Sequence, residues 1–419
     1  MAKAVKETST NYDSPYRPLP IALLNTTGKV AERLGLMSDL SVEKLVASAK
    51  KKAGLNDFGD EWFLQPLSVL VDAINQEANL TPFGKMVQKG RLEAALVTRL
   101  RIEHLLKQHP EILDIELGKI ILIAGLQRTG TTTLHRLIAA DPDMRALISW
   151  EALNPIPLPN EKQGDPTPRI KQAKVAEKGL AYIAPEFFAI HPVEHDSPEE
   201  DVLLLDLCFM SQAPEATMHV PSYATWLETQ DHTRAYEYLR TLLKVLMWQK
   251  PAKNWVLKTP HHMEYLDVIL KVFPEATIVQ THRDPQKTTG SFCSMVSHGR
   301  GVFSDEVDAK EVARHWVRKV DRLMQRSIQV REESQENRFV DVSYYDLLKD
   351  PQKEVKRIYD FAGIDYSEAA VKSVNETKKR NVQNRYGKHV YHLKDFDLSR
   401  EQIEAQYGYY RERYHIPFE

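Results

Sequence analysis

The sequence predicts an α/β fold, a doubly wound parallel sheet flanked by helices and preceded by a helical amino-terminal region, and three observations lead to it. Residues 119–133 read Lys-Ile-Ile-Leu-Ile-Ala-Gly-Leu-Gln-Arg-Thr-Gly-Thr-Thr-Thr, a short apolar run that passes through a glycine-bearing turn into helical periodicity. Beyond residue 116 such apolar runs keep alternating with longer amphipathic stretches, the pattern of parallel strands joined by helical crossovers. From 18 to 115 the apolar residues recur at helical spacing alone.

In chain order, residues 1–17 are polar, lack the apolar stretch of a secretory signal and are expected to be mobile. Residues 18–115 read as a helical cap. Within 85–108 the stripe Leu92, Leu96 and Leu100 marks one helix, and His109-Pro110 stops it. The remainder, 116–419, is the main domain, with strands expected at 119–124, 255–257, 276–281 and 338–342. The first is followed by the helical set Leu134, Leu137 and Ile138, and the second by Met263, Leu266, Ile269, Leu270 and Phe273. Between 143 and 250 lies an insertion of helix and loop. There Asn154-Pro155-Ile156-Pro157-Leu158-Pro159 cannot be helical, whereas Leu239, Leu242, Leu243, Leu246 and Met247 form a helical stripe.

With 419 residues, 42% of them apolar, the chain can bury one large core or two modest ones. A formal net charge of -2 argues against a general nucleic-acid binder, so an anionic partner must be met by a local cluster. Cys208 and Cys293 are too few and too far apart for a disulfide framework or a C-x-x-C metal site; they read as buried thiols in a reducing compartment. The longest apolar stretch, 120–126, is too short to span a bilayer, and the expectation is a soluble, cytoplasmic protein of unspecified oligomeric state.

Ligands of doubly wound sheets bind beyond the carboxyl ends of the strands, so the strand-to-helix turns carry the chemistry. Gly125 and Gly130 keep the spacing of the nucleotide-hydrolysing loop G-x-x-x-x-G-K-[ST], but Thr131 stands where its lysine belongs. The turn is therefore P-loop-like without suiting Mg-ATP. Backbone amides from Gly125 to Thr132, the hydroxyls of Thr129, Thr131 and Thr132, and the one loop cation, Arg128, compose an anion cradle at a helix amino terminus. The turn after the third strand, Thr281-His282-Arg283-Asp284-Pro285, offers Arg283 for a forked phosphate contact, with Ser291 about two helical turns further on. Arg283 is equally suited to a salt bridge with Asp284 or a neighbouring helix. After the second strand, Lys258-Thr259-Pro260-His261-His262 adds a lysine and two imidazoles able to take a proton near neutral pH. Standing alone, such histidines more often start helices or sit on the surface.

Together these turns, with Gln-Arg-Thr-Gly-Thr-Thr at 127–132, Arg283 with Ser291, and Lys258-x-Pro-x-His262, resemble the sulfotransferases that use 3′-phosphoadenosine 5′-phosphosulfate (PAPS). The run Asp341-Val-Ser-Tyr-Tyr-Asp-Leu-Leu-Lys-Asp-Pro351 with Tyr359 and Gly363, and the helical leader with Gly59-Asp60 and Gly84, are similar to the bacterial branch of that family. The resemblance implies that Gly125, Arg128, Thr129, Gly130, Thr131 and Thr132 hold the 5′-phosphosulfate, while Arg283 and Ser291 hold the 3′-phosphate. Arg128 occupies the place of a lysine in the animal enzymes, and its role is then electrostatic. His262 is implied as the base, His261 is its rival, and Lys258 stands beside the transferring group. Where the animal enzymes stack tryptophan on adenine, this chain has Thr133. Arg385 and Lys388 are candidates for further 3′-phosphate contacts or for a solvated basic face. The implied reaction is in-line sulfonyl transfer to a hydroxyl or amine of a small-molecule or lipid-like acceptor, calling for no metal and no nucleic acid. Residues 143–250 would then wall the acceptor side.

Two other patterns compete. His191-Pro192-Val193-Glu194-His195 matches the H-x-x-E-H of inverted zinc proteases, but Pro192 breaks the helix that motif needs. Ser197-Pro198-Glu199-Glu200 instead reads as a capping box that starts a helix. A P-loop kinase or NTPase would need lysine at 131 and a strand-borne aspartate, for which Phe339-Val340-Asp341 is a poor candidate. A catalytically silent nucleotide-binding protein is the remaining alternative.

Overall fold

A computed structural model describes residues 6–36, 38–159, 161–162, 164–334, 336–380 and 386–419. Its five strands are β1 (Ile120–Ile123), β2 (Met144–Ala146), β3 (Asn254–Lys258), β4 (Ala276–His282) and β5 (Phe339–Ser343), all parallel and ordered β2-β3-β1-β4-β5. The central strand β1 is wholly buried. Ile120 and Leu122 enter one core cluster and Ile121 and Ile123 the other, because successive side chains leave a strand on opposite faces. A strand covered on both faces reads as an unbroken apolar run, which is why this one was visible in the sequence.

One face is covered by Leu134, Leu137 and Ile138 of helix Thr131–Ile138 and by Val355, Ile358 and Tyr359 of helix Pro351–Ala362. The other shares its core with Leu67 and Leu70, Leu92 and Leu96, Leu239 and Leu243, and Trp316 and Leu323. The amino-terminal helices thus pack into the same core as the sheet.

Strand β2 was not anticipated; its residues fall at the start of the expected helix-and-loop insertion. Met144-Arg145-Ala146 is three residues long, and Arg145 is buried only because Glu151 pairs with it at 2.6 Å. So short a strand, with a charge at its centre, shows neither an apolar run nor an alternation.

The leader and residues 197–200 both pack onto the sheet domain. The described part of the leader is packed down: Tyr12 is buried, its hydroxyl donates to Ser294 at 3.0 Å, and Thr8 bonds the carbonyl of Lys388. Residues 197–200 start no helix. Pro198 instead bridges Ile148 beyond β2, and the Glu199 amide donates to the carbonyl of Leu147. The expected capping residues are used to extend the sheet edge, and the helix starts later, at Val202–Leu205.

Register places the turns. Ile123 lies level with Lys258 of β3 and Val279 of β4, so the loop after β1 and the turn after β3 leave the carboxyl edge side by side.

Candidate active site

The loop after β1 is held in a shape that only particular residues tolerate. A Cβ on Gly125 would lie 2.1 Å from Thr281 Oγ1, so close approach to β4 requires glycine there. Gly130, at φ +89°, turns the chain into helix Thr131–Ile138. Thr129 Oγ1 donates to the Leu126 carbonyl at 2.6 Å and lies 2.5 Å from Thr281 Oγ1, tying loop to strand. Thr131 is buried and Thr132 exposed on the first helical turn, whose leading amides have no intrahelical acceptor.

Arg128 is left-handed at φ +67°, a conformation costing a non-glycine residue on the order of 1 kcal/mol. Tertiary contacts hold it there. Its Nε donates to Ser291 Oγ at 3.0 Å, and Arg283 Nη1 donates to its carbonyl at 3.1 Å. Burial, and then the charge of Arg283, hold the Arg128 guanidinium below its usual pKa. Among the described residues no carboxylate lies within ion-pair distance of Arg128. Two guanidiniums and a hydroxyl thus converge beside free helical amides, an arrangement suited to a polyanion.

Arg283 follows β4 as expected, and Asp284 caps helix Pro285–Gly301 by accepting from the Gln286 amide at 2.9 Å. Its partner, however, is neither Asp284 nor a neighbouring helix. Glu419 grips it at Nε (2.7 Å) and Nη2 (3.0 Å), and the guanidinium lies over the Tyr344 ring at 4.1 Å. Burial would lower the Arg283 pKa, but Glu419 outweighs it and holds the group above its usual value. Ser291 also lies 3.4 Å from His389 Nδ1, whose Nε2 is 3.0 Å from Ser294 Oγ. Burial and Arg128 bring His389 down to about 3, so it is neutral at pH 7. Lys388 pairs instead with Glu7 at 3.4 Å, and Arg385 lies outside the described residues.

The turn after β3 departs most from expectation. Lys258 is nearly buried and its Nζ lies 2.5 Å from Glu200. His262 does not face the cleft: it is 0% exposed, with Nε2 2.8 Å from Asp201 Oδ2 and Nδ1 2.9 Å from the Tyr236 hydroxyl. Burial alone would raise Asp201, but His262 and nearby amides more than offset it and hold the carboxylate below its usual range. His261, also 0% exposed, packs among His232, Tyr236 and Tyr265, and burial drives its pKa well down. Pro260–Glu264 is a 3-10 turn that dives beneath helix Ala309–Glu333, where Lys319 meets Glu264 at 2.9 Å. His262 and His261, the residues expected as base and rival base, are thus both enclosed, because the turn runs inward.

Sequence reasoning missed His389, Glu419 and the run Glu199-Glu200-Asp201. Only the last left a local signal, three consecutive carboxylates beside a proline. His195 lies 2.6 Å from Glu177, and Glu194 lies 3.1 Å from Arg136, so those two residues of the zinc-like pattern are directed elsewhere.

Comparison with known proteins decides the family. A model of the sulfotransferase family matches residues 121–368, which hold the loop, Lys258, Arg283 and Ser291. The chain belongs to the sulfotransferase family. Among solved structures, this family member is similar to sulfotransferase STF1 from Mycobacterium tuberculosis, with a TM-score of 0.78 and 33% identity, covering 88% of this chain and 98% of that one. Sulfotransferase STF9 from Mycobacterium avium gives a TM-score of 0.81 at 26% identity, covering 90% and 97%. Among curated relatives, the omega-hydroxy-beta-dihydromenaquinone-9 sulfotransferase Stf3 of Mycobacterium bovis is 26% identical over 266 residues, 58% of this chain. That alignment spans 62% of the relative's length. The expected fold, sheet and branch are thereby borne out. No helix is long and apolar enough to cross a membrane among the described residues.

Proposed function

We propose that this sulfotransferase moves the sulfonyl group of PAPS to a hydroxyl of a lipid-like small molecule. The observation that carries the reading is the pair Arg128 and Arg283, converging with Ser291 at a helix start where Arg128 has no carboxylate partner among the described residues. In this reading Gly125, Thr129, Gly130, Thr131 and Thr132 cradle the phosphosulfate. Arg283 and Ser291 take the 3′-phosphate, and Arg128 and Lys258 meet the charge that develops as the sulfur–oxygen bond breaks. Residues 143–250 supply the acceptor wall. The acceptor class follows the relative whose name specifies a hydroxylated menaquinone. Thr131 in the lysine position disfavours the kinase alternative.

Thermal-shift titration with 3′,5′-ADP and ADP tests the donor. A clear preference for 3′,5′-ADP is expected, and equal or absent shifts would remove the reading. Incubation with sulfur-labelled PAPS and fractionated lipids tests the acceptor, with label expected in a hydroxylated lipid fraction.

A further inference from the structure

We propose that the outer face of helix Thr167–Ile183 docks the protein on an anionic phospholipid bilayer. Such docking goes beyond the transfer reaction, and it needs neither donor nor acceptor to be measured. The helix is 17 residues long, yet Arg169 and Ala173 are the side chains it buries. Its inward charges are matched by the fold: Arg169 meets Glu161 at 2.7 Å, and Glu177 meets His195 at 2.6 Å.

The outer face is different. At 3.6 residues per turn, Lys171, Lys174, Val175, Lys178 and Tyr182 fall within about 100° of the helix circumference, opposite Arg169 and Ala173. All five are exposed, Val175 by 71% and Tyr182 by 37%. Among the described residues, none of the three lysines lies within ion-pair distance of a carboxylate. Asp165, just ahead of the helix, feels the charge of Lys171, but its carboxylate accepts the Thr167 amide. A chain of net charge -2 thus keeps three unmatched cations on one side of one helix.

The partner that complements this face is negative and offers an apolar layer beneath its charge. Lysine stems can lie along the apolar boundary while their ammonium groups reach headgroup phosphates. Val175, set among the lysines, would enter the boundary, and a tyrosine ring is favoured at headgroup level. A nucleic-acid backbone gives Val175 nothing to enter. The helix leads through Pro185–Ile190 to His191, whose charged surroundings include Lys258 and Arg128. Docking would therefore hold the candidate active site near the bilayer that contains its acceptor, a use that rests on the lipid-like acceptor proposed above.

Co-sedimentation of the full chain with vesicles is the test, using equimolar phosphatidylcholine and phosphatidylglycerol, and phosphatidylcholine alone. Wild type is expected to bind the mixed vesicles, less tightly as salt is raised, and the neutral vesicles at least about tenfold more weakly. The triple variant Lys171→Gln, Lys174→Gln, Lys178→Gln should lose about 10²-fold, roughly fivefold for each lysine, with its 3′,5′-ADP affinity unchanged. Val175→Ser should lose about fivefold through the apolar contact alone. Equal binding to both vesicle types, or a triple variant within about threefold of wild type, would overturn the proposal. So would unchanged binding by Val175→Ser, binding of a DNA duplex as tight as that of the mixed vesicles, or a change of oligomeric state in the triple variant. Failure of the sulfotransferase reading looks different: wild type would then bind 3′,5′-ADP no better than ADP, whatever the vesicles show.

Discussion

The loop after β1 and the turn after β3 leave the same sheet edge on neighbouring strands, yet one leaves its cation without a carboxylate partner among the described residues and the other folds its polar groups into the core. In the loop, Arg128 is held by a hydroxyl and a neighbouring guanidinium, neither of which neutralises it. In the turn, His262 faces a buried carboxylate and a tyrosine hydroxyl. The difference teaches that residue type and position at a strand end do not fix a role. What decides it is whether the fold supplies the counter-group or leaves it for the ligand.

The largest expected effect follows from the unmatched side of this comparison. Arg128→Ala should lower sulfonyl transfer by about 10²-fold to 10³-fold, the cost of removing one preorganised electrostatic contact. Arg128→Lys should recover part of it, because charge is kept and the fork is lost. Steady-state transfer from labelled PAPS decides this. An Arg128→Ala enzyme with ordinary turnover would erase the distinction between the two turns.

The matched side predicts the opposite phenotype. His262→Ala should cost roughly 3–5 kcal/mol of stability, the usual consequence of leaving one member of a buried pair alone. Urea denaturation measures that loss, and turnover per folded molecule should change only a few-fold. A variant of unchanged stability with strongly reduced turnover would return His262 to the chemistry.

A smaller effect is expected at Glu419, where the fold itself supplies a counter-charge to Arg283, the proposed contact of the 3′-phosphate. With both side chains about one-fifth exposed, the pair with Arg283 is screened and worth up to about 1 kcal/mol. Glu419→Gln should therefore tighten 3′,5′-ADP by up to about fivefold and leave ADP unchanged, because only the 3′-phosphate competes for Arg283. Calorimetric titration of both nucleotides reads it, and equal tightening of the two would show that the carboxylate acts on the whole site.

The same contrast explains what could be read from the sequence. Gly125, Gly130 and the apolar run of β1 answer to local backbone needs and to burial on both faces, so the fold and the anion loop were legible. Strand β2 was not, because three residues centred on Arg145 carry no period. The partners of His262 lie at Asp201 and Tyr236, and that of Arg283 at Glu419, far along the chain. Nothing at 258–262 or 283 announces them. The Lys-x-Pro-x-His spacing was visible, but the inward course of the 3-10 turn depends on helix Ala309–Glu333 closing over it.

The smallest effect appears only in acid, and it separates the two turns through thermodynamics. Asp201 has a folded pKa below its usual value; the unfolded carboxylate titrates near about 3.9. Its contribution to stability is therefore fully present above the unfolded pKa and is lost as pH falls through the folded one. Replacing it by asparagine removes that titration, so the stability of Asp201→Asn should fall less steeply below about pH 4 than that of wild type, although the variant is less stable at pH 7. Chemical denaturation at a series of pH values gives the slope directly. If Asp201→Asn shows the same acid slope as wild type, the buried pair of the β3 turn contributes nothing to acid stability, and the contrast between the two turns of this edge fails.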